Sequence, residues 1–268
     1  MATRSWLISS PRSETLPARP HLRVQLVGGA VEVVAHDAEE VTLEVLDVTG
    51  NPIEVTVEDT LLSIGYPSLG WEGWMKRLTS FRSSDRAGIR LAVPRGTGVT
   101  LATATAAVTA TGLTADVSLY SAAGIVYAAD IRGKVTARTF SGAITLDRHE
   151  GPVTVQSASG IVRIQGSTTH VGVSTGSGDV QLRNASTSSV VSVSTLAGAV
   201  DVLLPPTGLV LTARTVSGAV DVDGASRRTS SGPAVVAVDE RSGSDACWLT
   251  VNTVSGAVRV QRAGSDST

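Results

Sequence analysis

Hydrophobic and polar residues alternate along most of this chain, and from about residue 99 the alternation is organised into a repeat. A Ser-Gly-x-Val-x-Val unit returns every 18 to 20 residues, and its glycine position serves here as the anchor of the repeat. Successive anchors lie 18, 18, 18, 18, 20, 20 and 38 residues apart, so the last step is close to two repeats. The anchors are Ala106, Gly124, Gly142, Gly160, Gly178, Gly198, Gly218 and Gly256. Such periodicity is typical of proteins built from stacked units.

Each repeat contains two strand patterns, one on either side of its anchor. The residues two and four positions after every anchor are apolar, and the residue between them is mostly polar, as in Val200-Asp201-Val202. The residues seven and five positions before every anchor are apolar as well. This period of two predicts strands that bury one face.

A corner is predicted at each anchor, because the inward positions are odd before it and even after it. Glycine tolerates the backbone angles of such a corner or bulge best. A serine or threonine lies three residues before every anchor, and we expect its hydroxyl to bond to the backbone or to the next layer. This hydroxyl column consists of Thr103, Ser121, Thr139, Ser157, Thr175, Thr195, Thr215 and Thr253.

Two strands per repeat in a constant register predict an all-β fold, an elongated β-solenoid-like stack of two-strand coils of 18 to 20 residues, without an assigned handedness. An antiparallel meander is the competing arrangement, but a meander would not require the same corner residues at every second turn. Residues 223–247 depart from the pattern and predict a degenerate coil with extended loops.

The chain before the repeat also predicts β structure. Residues 22–64 consist of alternating segments interrupted by turn sequences, a pattern typical of antiparallel strands, and this region is expected to cap one end of the stack. The predicted organisation is an N-terminal extension (1–20), N-terminal β layers (21–95), the β-repeat solenoid (96–262) and a tail (263–268).

The segment from Trp71 to Arg86 interrupts the β pattern. Its large apolar residues fall near one face at helical spacing and basic residues accompany them, which predicts a short amphipathic helix. Three interpretations remain open: the helix covers the β body as ordinary core, docks on a protein partner, or lies on an anionic membrane surface. The candidate contact residues are Trp71, Trp74, Met75, Lys76, Arg77, Leu78, Phe81 and Arg82.

Several phrases of the repeat resemble the bacterial putative adhesin family of β-strand repeats, also called the Toastrack domain, a domain of unknown function. The resemblance covers about residues 88–262 and rests on TFSGAITL, QSASGIVRIQG, STGSGDVQL, TVSGAVDV and NTVSGAVRV, together with Val93-Pro94 and Gly96 leading into the first strand. It implies a repetitive β scaffold with roles in adhesion or in cell-envelope sensing. It implies no catalytic residues.

Composition and charge narrow the classes of function. Aromatic residues make up only 3% of the chain, which predicts a core of small and β-branched side chains, and a net charge of −2 provides no overall field to attract nucleic acid. Cys247 is the only cysteine, so it forms no intramolecular disulfide, and we expect it to be buried in a strand. No signal-peptide pattern or membrane-span-length apolar segment is present, so the default expectation is a cytoplasmic location, with peripheral membrane association left open.

The sequence contains no GxSxG elbow, HExxH helix or P-loop pattern, and its four histidines are dispersed. Its one GxSxG match, Gly172–Gly176, falls on a predicted strand at a corner of the repeat and not at a strand-to-helix turn. Asp201 and Asp221 occupy equivalent positions in consecutive repeats, so we expect them to lie close together, where they could bind a cation or act as acid and base. Solvated surface acids explain them equally well.

The favoured function is therefore a non-catalytic binding or scaffold protein linked to envelope or membrane stress. It has no cofactor and no nucleic-acid partner, and its partner is a protein or a membrane surface. A polysaccharide-active parallel β-helix enzyme is the alternative.

Overall fold

The computed structural model describes residues 3–66, 85–227, 233–240 and 246–263, and it contains 26 strands and no helix within these ranges. The chain divides into two compact units, Met1–Val135 and Thr136–Thr268. Successive strands from Arg86 to Val222 alternate between two sheets, and in both units most neighbouring strands are parallel. The predicted all-β, solenoid-like class is confirmed.

Unit 1 contains the first twelve strands. They are β1 (Arg4–Ile8), β2 (Arg12–Pro17), β3 (His21–Leu26), β4 (Gly28–His36), β5 (Glu40–Thr49), β6 (Ile53–Val57), β7 (Leu61–Gly65), β8 (Arg86–Pro94), β9 (Gly98–Thr103), β10 (Ala107–Thr111), β11 (Val117–Ser121) and β12 (Val126–Ala129). Sheet A of this unit has the order β1-β6-β7-β3-β9-β11, and sheet B has the order β2-β5-β8-β4-β10-β12.

The prediction of antiparallel strands before the repeat is only partly correct. β1, β2, β5 and β6 are antiparallel to their neighbours, but β3 and β4 pair in parallel with β9 and β10. Leu22 lies opposite Val99 and Val31 opposite Val108, so β3 and β4 form a coil in register with the repeat. The spacing conceals this coil because the chain leaves the stack after His36, and β7 and β8 then form a further parallel coil on the other side of β3 and β4 before the repeat begins at Gly98.

Unit 2 contains the remaining strands. They are β13 (Val135–Thr139), β14 (Ile144–Glu150), β15 (Val153–Ser157), β16 (Val162–Ser167), β17 (His170–Thr175), β18 (Val180–Asn184), β19 (Ser189–Thr195), β20 (Val200–Leu204), β21 (Gly208–Thr215), β22 (Val220–Val222), β23 (Ala225–Ser226), β24 (Ala234–Glu240), β25 (Ala246–Thr253) and β26 (Val258–Arg262). Here the order in sheet A is β13-β15-β17-β19-β25-β21-β24, and in sheet B β14-β16-β18-β20-β26-β22-β23.

The coils of unit 2 do not stack in chain order. The last coil, β25 and β26, lies between the β19/β20 coil and the β21/β22 coil, so that Leu249 pairs with Val191 on one side and with Leu211 on the other. The segment 223–247 includes β23 and β24, which pair antiparallel with β22 and β21 on the outer side of their coil, whereas the coils themselves stack in parallel.

The core consists of the apolar positions predicted on both sides of each anchor. None of these side chains is more than 4% exposed, and most are valine, leucine, isoleucine or alanine. Equivalent positions of neighbouring repeats pair with each other, as in Val162 opposite Val180 and Val180 opposite Val200. Similar side chains therefore stack on one another along the core. The prediction of the buried face is confirmed.

The hydroxyl column is structural, as predicted. Seven of its members accept a hydrogen bond from the backbone N–H of the anchor glycine three residues later, with distances from 2.8 Å at Ser121 and Thr215 to 3.1 Å at Thr175. Thr103, whose anchor is Ala106, donates instead to the Ala106 carbonyl oxygen (3.0 Å). Each hydroxyl thus satisfies a buried backbone group at the corner.

The reason predicted for glycine at the corners is wrong. Gly160, Gly178 and Gly198 do not have positive φ angles. A Cβ at Gly178 would instead lie 1.9 Å from the carbonyl oxygen of Gly160, and one at Gly198 would lie 2.0 Å from that of Gly178. The close approach of neighbouring coils excludes a side chain.

Candidate functional site

The segment predicted as a functional surface lies largely outside the described residues. This applies to every candidate contact, so their role stays a prediction: Trp71, Trp74, Met75, Lys76, Arg77, Leu78, Phe81 and Arg82. The described strands do show where the segment enters the fold. It connects β7 in sheet A to β8 in sheet B, which is the connection that a short glycine corner makes in the repeat.

The described residues that flank the undescribed part of the chain here, Tyr66 and Asp85, are both buried in unit 1. Asp85 is buried, and its carboxylate accepts hydrogen bonds from the backbone N–H and the side-chain amide of Asn51, both at 3.1 Å. Tyr66 is buried as well, and burial raises the pKa of its phenol to about 12, with the charges of Asp85 and Asp47 acting in the same direction.

A second candidate surface lies on the corner edge of unit 2. Most corner residues there are small or apolar, and several large side chains are exposed two positions before their anchor glycine. These are Phe140, Leu196, Val216 and Val254. Soluble proteins bury most side chains of this kind, so a cluster of them on one edge indicates a contact surface.

Three of these corner side chains line a groove of about 750 Å³ on the outer side of sheet A, which we call the corner groove. Leu196, Val254 and Val216 belong to three successive coils of the stack and form one wall, which we call the apolar wall. Pro233 and Val235, at the start of β24, extend the apolar lining. The buried hydroxyl column forms the floor.

Backbone hydrogen bonds between coils fix the spacing of the apolar wall. The N–H of Leu196 donates to the carbonyl oxygen of Gly176 (3.0 Å), and that of Val216 donates to Val254 (3.2 Å). The N–H of Ser255 donates to the carbonyl oxygen of Leu196 (3.0 Å). The wall is therefore preformed by the stack.

The opposite wall of the corner groove is polar, and we call it the polar wall. Its residues lie in register on adjacent strands: Ser174 on β17 is opposite Ser194 on β19, Ser194 is opposite Asn252 on β25, and Asn252 is opposite Arg214 on β21. Arg214 is exposed and, among the described residues that line the groove, is the only charged one. It forms no ion pair with any acidic residue in the described parts of the chain.

The predicted proximity of Asp201 and Asp221 is wrong. The inserted strand β26 separates them, and Arg259 lies in register between the two, opposite Asp201 on β20 and opposite Asp221 on β22. The two aspartates are therefore two strand spacings apart, about 10 Å. Asp221 accepts a hydrogen bond from the N–H of Gly224 (3.1 Å), as a turn residue does.

Other predicted features have less chemical content. Cys247 is buried in β25, where its sulfur lies 3.4 Å from the Ser189 hydroxyl, in agreement with the expected strand position. Among the described residues, no group of three or more His, Cys, Asp or Glu side chains could hold a metal ion. No helix in the same residues is long and apolar enough to cross a membrane.

The sequence contained a signal for the corner groove that the repeat pattern obscured. Two positions before the anchor, Leu196, Val216 and Val254 replace the Ala158 and Gly176 of the preceding repeats. A corner residue faces solvent, so large apolar side chains there are not needed for the core. The stacking order then brings the three together on adjacent coils.

Comparison with known proteins places this fold in a family. The family described as Toastrack DUF4097, where DUF denotes a domain of unknown function, matches residues 21–261. Similar solved structures include a putative adhesin from Bacteroides fragilis (14% identity, 97% of each chain covered, TM-score 0.44) and a putative lipid binding protein from Parabacteroides distasonis (10% identity, 95% of this chain and 97% of that chain covered, TM-score 0.46). A putative cell adhesion protein from Clostridium sporogenes has 14% identity, with 94% of this chain and 100% of that chain covered and a TM-score of 0.30. No curated protein matches the chain. Since the family match extends over most of its length, the chain belongs to the Toastrack DUF4097 family.

Proposed function

We propose that this protein is a non-catalytic binding scaffold of the adhesin type, and that the corner groove of unit 2 is its binding surface. The observation that carries the proposal is the apolar wall, in which Leu196, Val254 and Val216 are exposed on three adjacent coils held by backbone hydrogen bonds. Burying such side chains against a ligand stabilises the complex by about 25 cal/mol for each Å² removed from water. A rigid β stack loses little conformational entropy on binding.

The proposal is tested with an uncharged fluorescent probe, N-phenylnaphthylamine, titrated into the folded protein. We expect saturable binding at one site, because the groove lies within the usual range of ligand-pocket volumes. Leu196→Gln combined with Val254→Gln should weaken binding about tenfold or more. Phe140→Gln is the matched control, since Phe140 is an exposed corner residue that does not line the groove. Absence of saturable binding, or equal weakening by Phe140→Gln, would exclude the corner groove as the site.

We also propose that the Trp71–Arg86 segment is a second contact, with a protein partner or with an anionic membrane surface in envelope or membrane-stress sensing. Its support is the amphipathic pattern of the sequence together with its place at a coil corner between β7 and β8. Trp74→Ala and Arg77→Glu separate the interpretations. Loss of stability in Trp74→Ala would mean that the segment covers the core. Unchanged stability with lost sedimentation on phosphatidylglycerol vesicles in both variants would support a membrane contact.

A further inference from the structure

We infer that the corner groove binds a single-chain anionic amphiphile, such as a fatty acid, with its carboxylate at Arg214 and its alkyl chain along the apolar wall. This inference rests on the proposed function, because it names the class of ligand for the same groove. It follows from how charge, apolar surface and open space are arranged around the groove.

The charge in the lining of the groove calls for an anion. Arg214 is exposed, lines the groove and has no ion-pair partner among the acidic residues of the described chain. Asn252 lies directly opposite Arg214 on the neighbouring strand, so an amide donor is available beside the guanidinium. A guanidinium and an amide together match the two oxygens of a carboxylate, and charge-assisted hydrogen bonds are the stronger kind.

On the side of Arg214 that faces the inner coils, the apolar surface follows the apolar wall, and on the other side Val235 of β24 pairs with Arg214. From β21 the wall passes over Val254 on the β25 coil and Leu196 on the β19 coil, and then reaches Gly176, which has no side chain, on the β17 coil. These four coils span three strand spacings, about 14 Å. A single alkyl chain with its charged end at Arg214 would cover Val254 and Leu196 and end over Gly176.

The groove is suited to a single free amphiphile rather than to the surface of a bilayer. Recognition of an anionic bilayer usually requires a cluster of several Lys and Arg residues. The described lining contains one cation, and the adjoining corner residues Ala197, Ser217 and Ser255 are small and uncharged. One cation in the described lining of a groove of about 750 Å³ matches one headgroup and one chain.

The inference is tested by displacement of the uncharged probe from the full chain. The apparent dissociation constants of dodecanoate and dodecyl phosphate from displacement should be about tenfold lower than that of dodecanol. This difference should shrink at high salt, which screens the charge of Arg214. Shortening the chain from dodecanoate to octanoate should weaken binding by up to about fourfold per methylene. Arg214→Gln should abolish the preference for dodecanoate over dodecanol.

Arg183→Gln is the matched control, because Arg183 is an exposed arginine on the other sheet of unit 2. It should leave the preference intact. Equal affinity for dodecanol and dodecanoate, or a preference retained in Arg214→Gln, would overturn the ligand class while the groove remained a binding site. Binding to phosphatidylglycerol vesicles without displacement by free dodecanoate would also overturn it. Failure of the uncharged probe to bind would instead reject the proposed function.

Discussion

At the residue scale, two constraints act at each coil corner, one on the residue type at the anchor and one on the residue type three positions before it. The anchor glycine has no room for a side chain because the carbonyl oxygen of the neighbouring coil lies where its Cβ would be, as between Gly178 and Gly160. The hydroxyl three residues earlier must be present because it accepts the N–H of that anchor, as Thr175 does from Gly178. Both constraints are packing and hydrogen-bonding effects of stacked coils, and neither involves ligand chemistry.

Alanine at a corner glycine should therefore destabilise the fold. In Gly178→Ala the new Cβ would lie 1.9 Å from the Gly160 carbonyl oxygen, and we expect the free energy of unfolding to fall by about 3 kcal/mol. Gly172→Ala, in β17, is the matched control, because the nearest atom to its Cβ is the Val153 carbonyl oxygen at 3.9 Å. It should be neutral or stabilise by up to about 1 kcal/mol. Urea denaturation measures both, and equal losses would contradict the steric explanation.

Tyr66 should make the stability of unit 1 decrease in alkaline solution. Its folded-state pKa of about 12 lies above the unfolded value of about 10, so the neutral phenol favours the folded state. This contribution is fully present below about pH 10 and is lost as the pH rises through about 12. Tyr66→Phe cannot ionise and should remove this part of the decline. The free energy of unfolding of both proteins is measured by urea denaturation from neutral pH to about pH 11. The same pH dependence in both proteins would contradict the assigned role of Tyr66.

At the scale of the elements, the stacking order of unit 2 avoids a like-charge pair. If the β21/β22 coil followed the β19/β20 coil directly, Asp221 would lie opposite Asp201 on adjacent strands, and like charges in that position are destabilising. The inserted β26 places Arg259 between them. An alternation of acid, base and acid across three strands therefore favours the observed order.

Engineered disulfides should report this order directly. Ser192 on β19 pairs with Thr250 on β25, and Thr250 pairs with Thr212 on β21. In a background with Cys247→Ala, cysteines at 192 and 250 should crosslink under mild oxidation, because adjacent strands lie within disulfide range. Cysteines at 192 and 212 should remain reduced, since two strand spacings exceed that range. Stacking in chain order would give the opposite pattern, which mass spectrometry of the folded protein distinguishes.

At the scale of the whole molecule, each unit has antiparallel strands where its parallel coils end. In unit 1, β1 and β6 continue sheet A, and β2 and β5 continue sheet B. In unit 2, β24 and β23 have the corresponding positions, and Arg262 ties them to the inserted coil through Asp223 (2.6 Å) and Glu240 (2.7 Å). Such strands cover coil layers that would otherwise present unpaired backbone groups to other molecules.

Loosening the cap of unit 1 should therefore promote association. Ile8 in β1 is 1% exposed and pairs with Ile53, so Ile8→Asn would bury an unsatisfied amide and should lower the free energy of unfolding by about 3 kcal/mol. We expect concentration-dependent oligomers in light scattering. Leu7→Asn on the same strand is the control, because Leu7 is 55% exposed, and it should remain close to the parent protein. Similar association of both variants would show that the cap is not the cause.

The sequence by itself determined the local features of this protein. The alternation of apolar and polar residues specified the strands and their buried faces, and the recurrence of Thr or Ser three residues before Gly specified the corners, because both follow from near neighbours in the chain. The exposed Leu196, Val216 and Val254 were visible as departures from the repeat.

Only the tertiary structure decided which coils are adjacent. Similar coils can pair in more than one order, and the order depends on interactions such as Arg259 between two aspartates that are distant in sequence. That order also sets the arrangement of the corner groove, since it places Val254 between Leu196 and Val216 in the apolar wall.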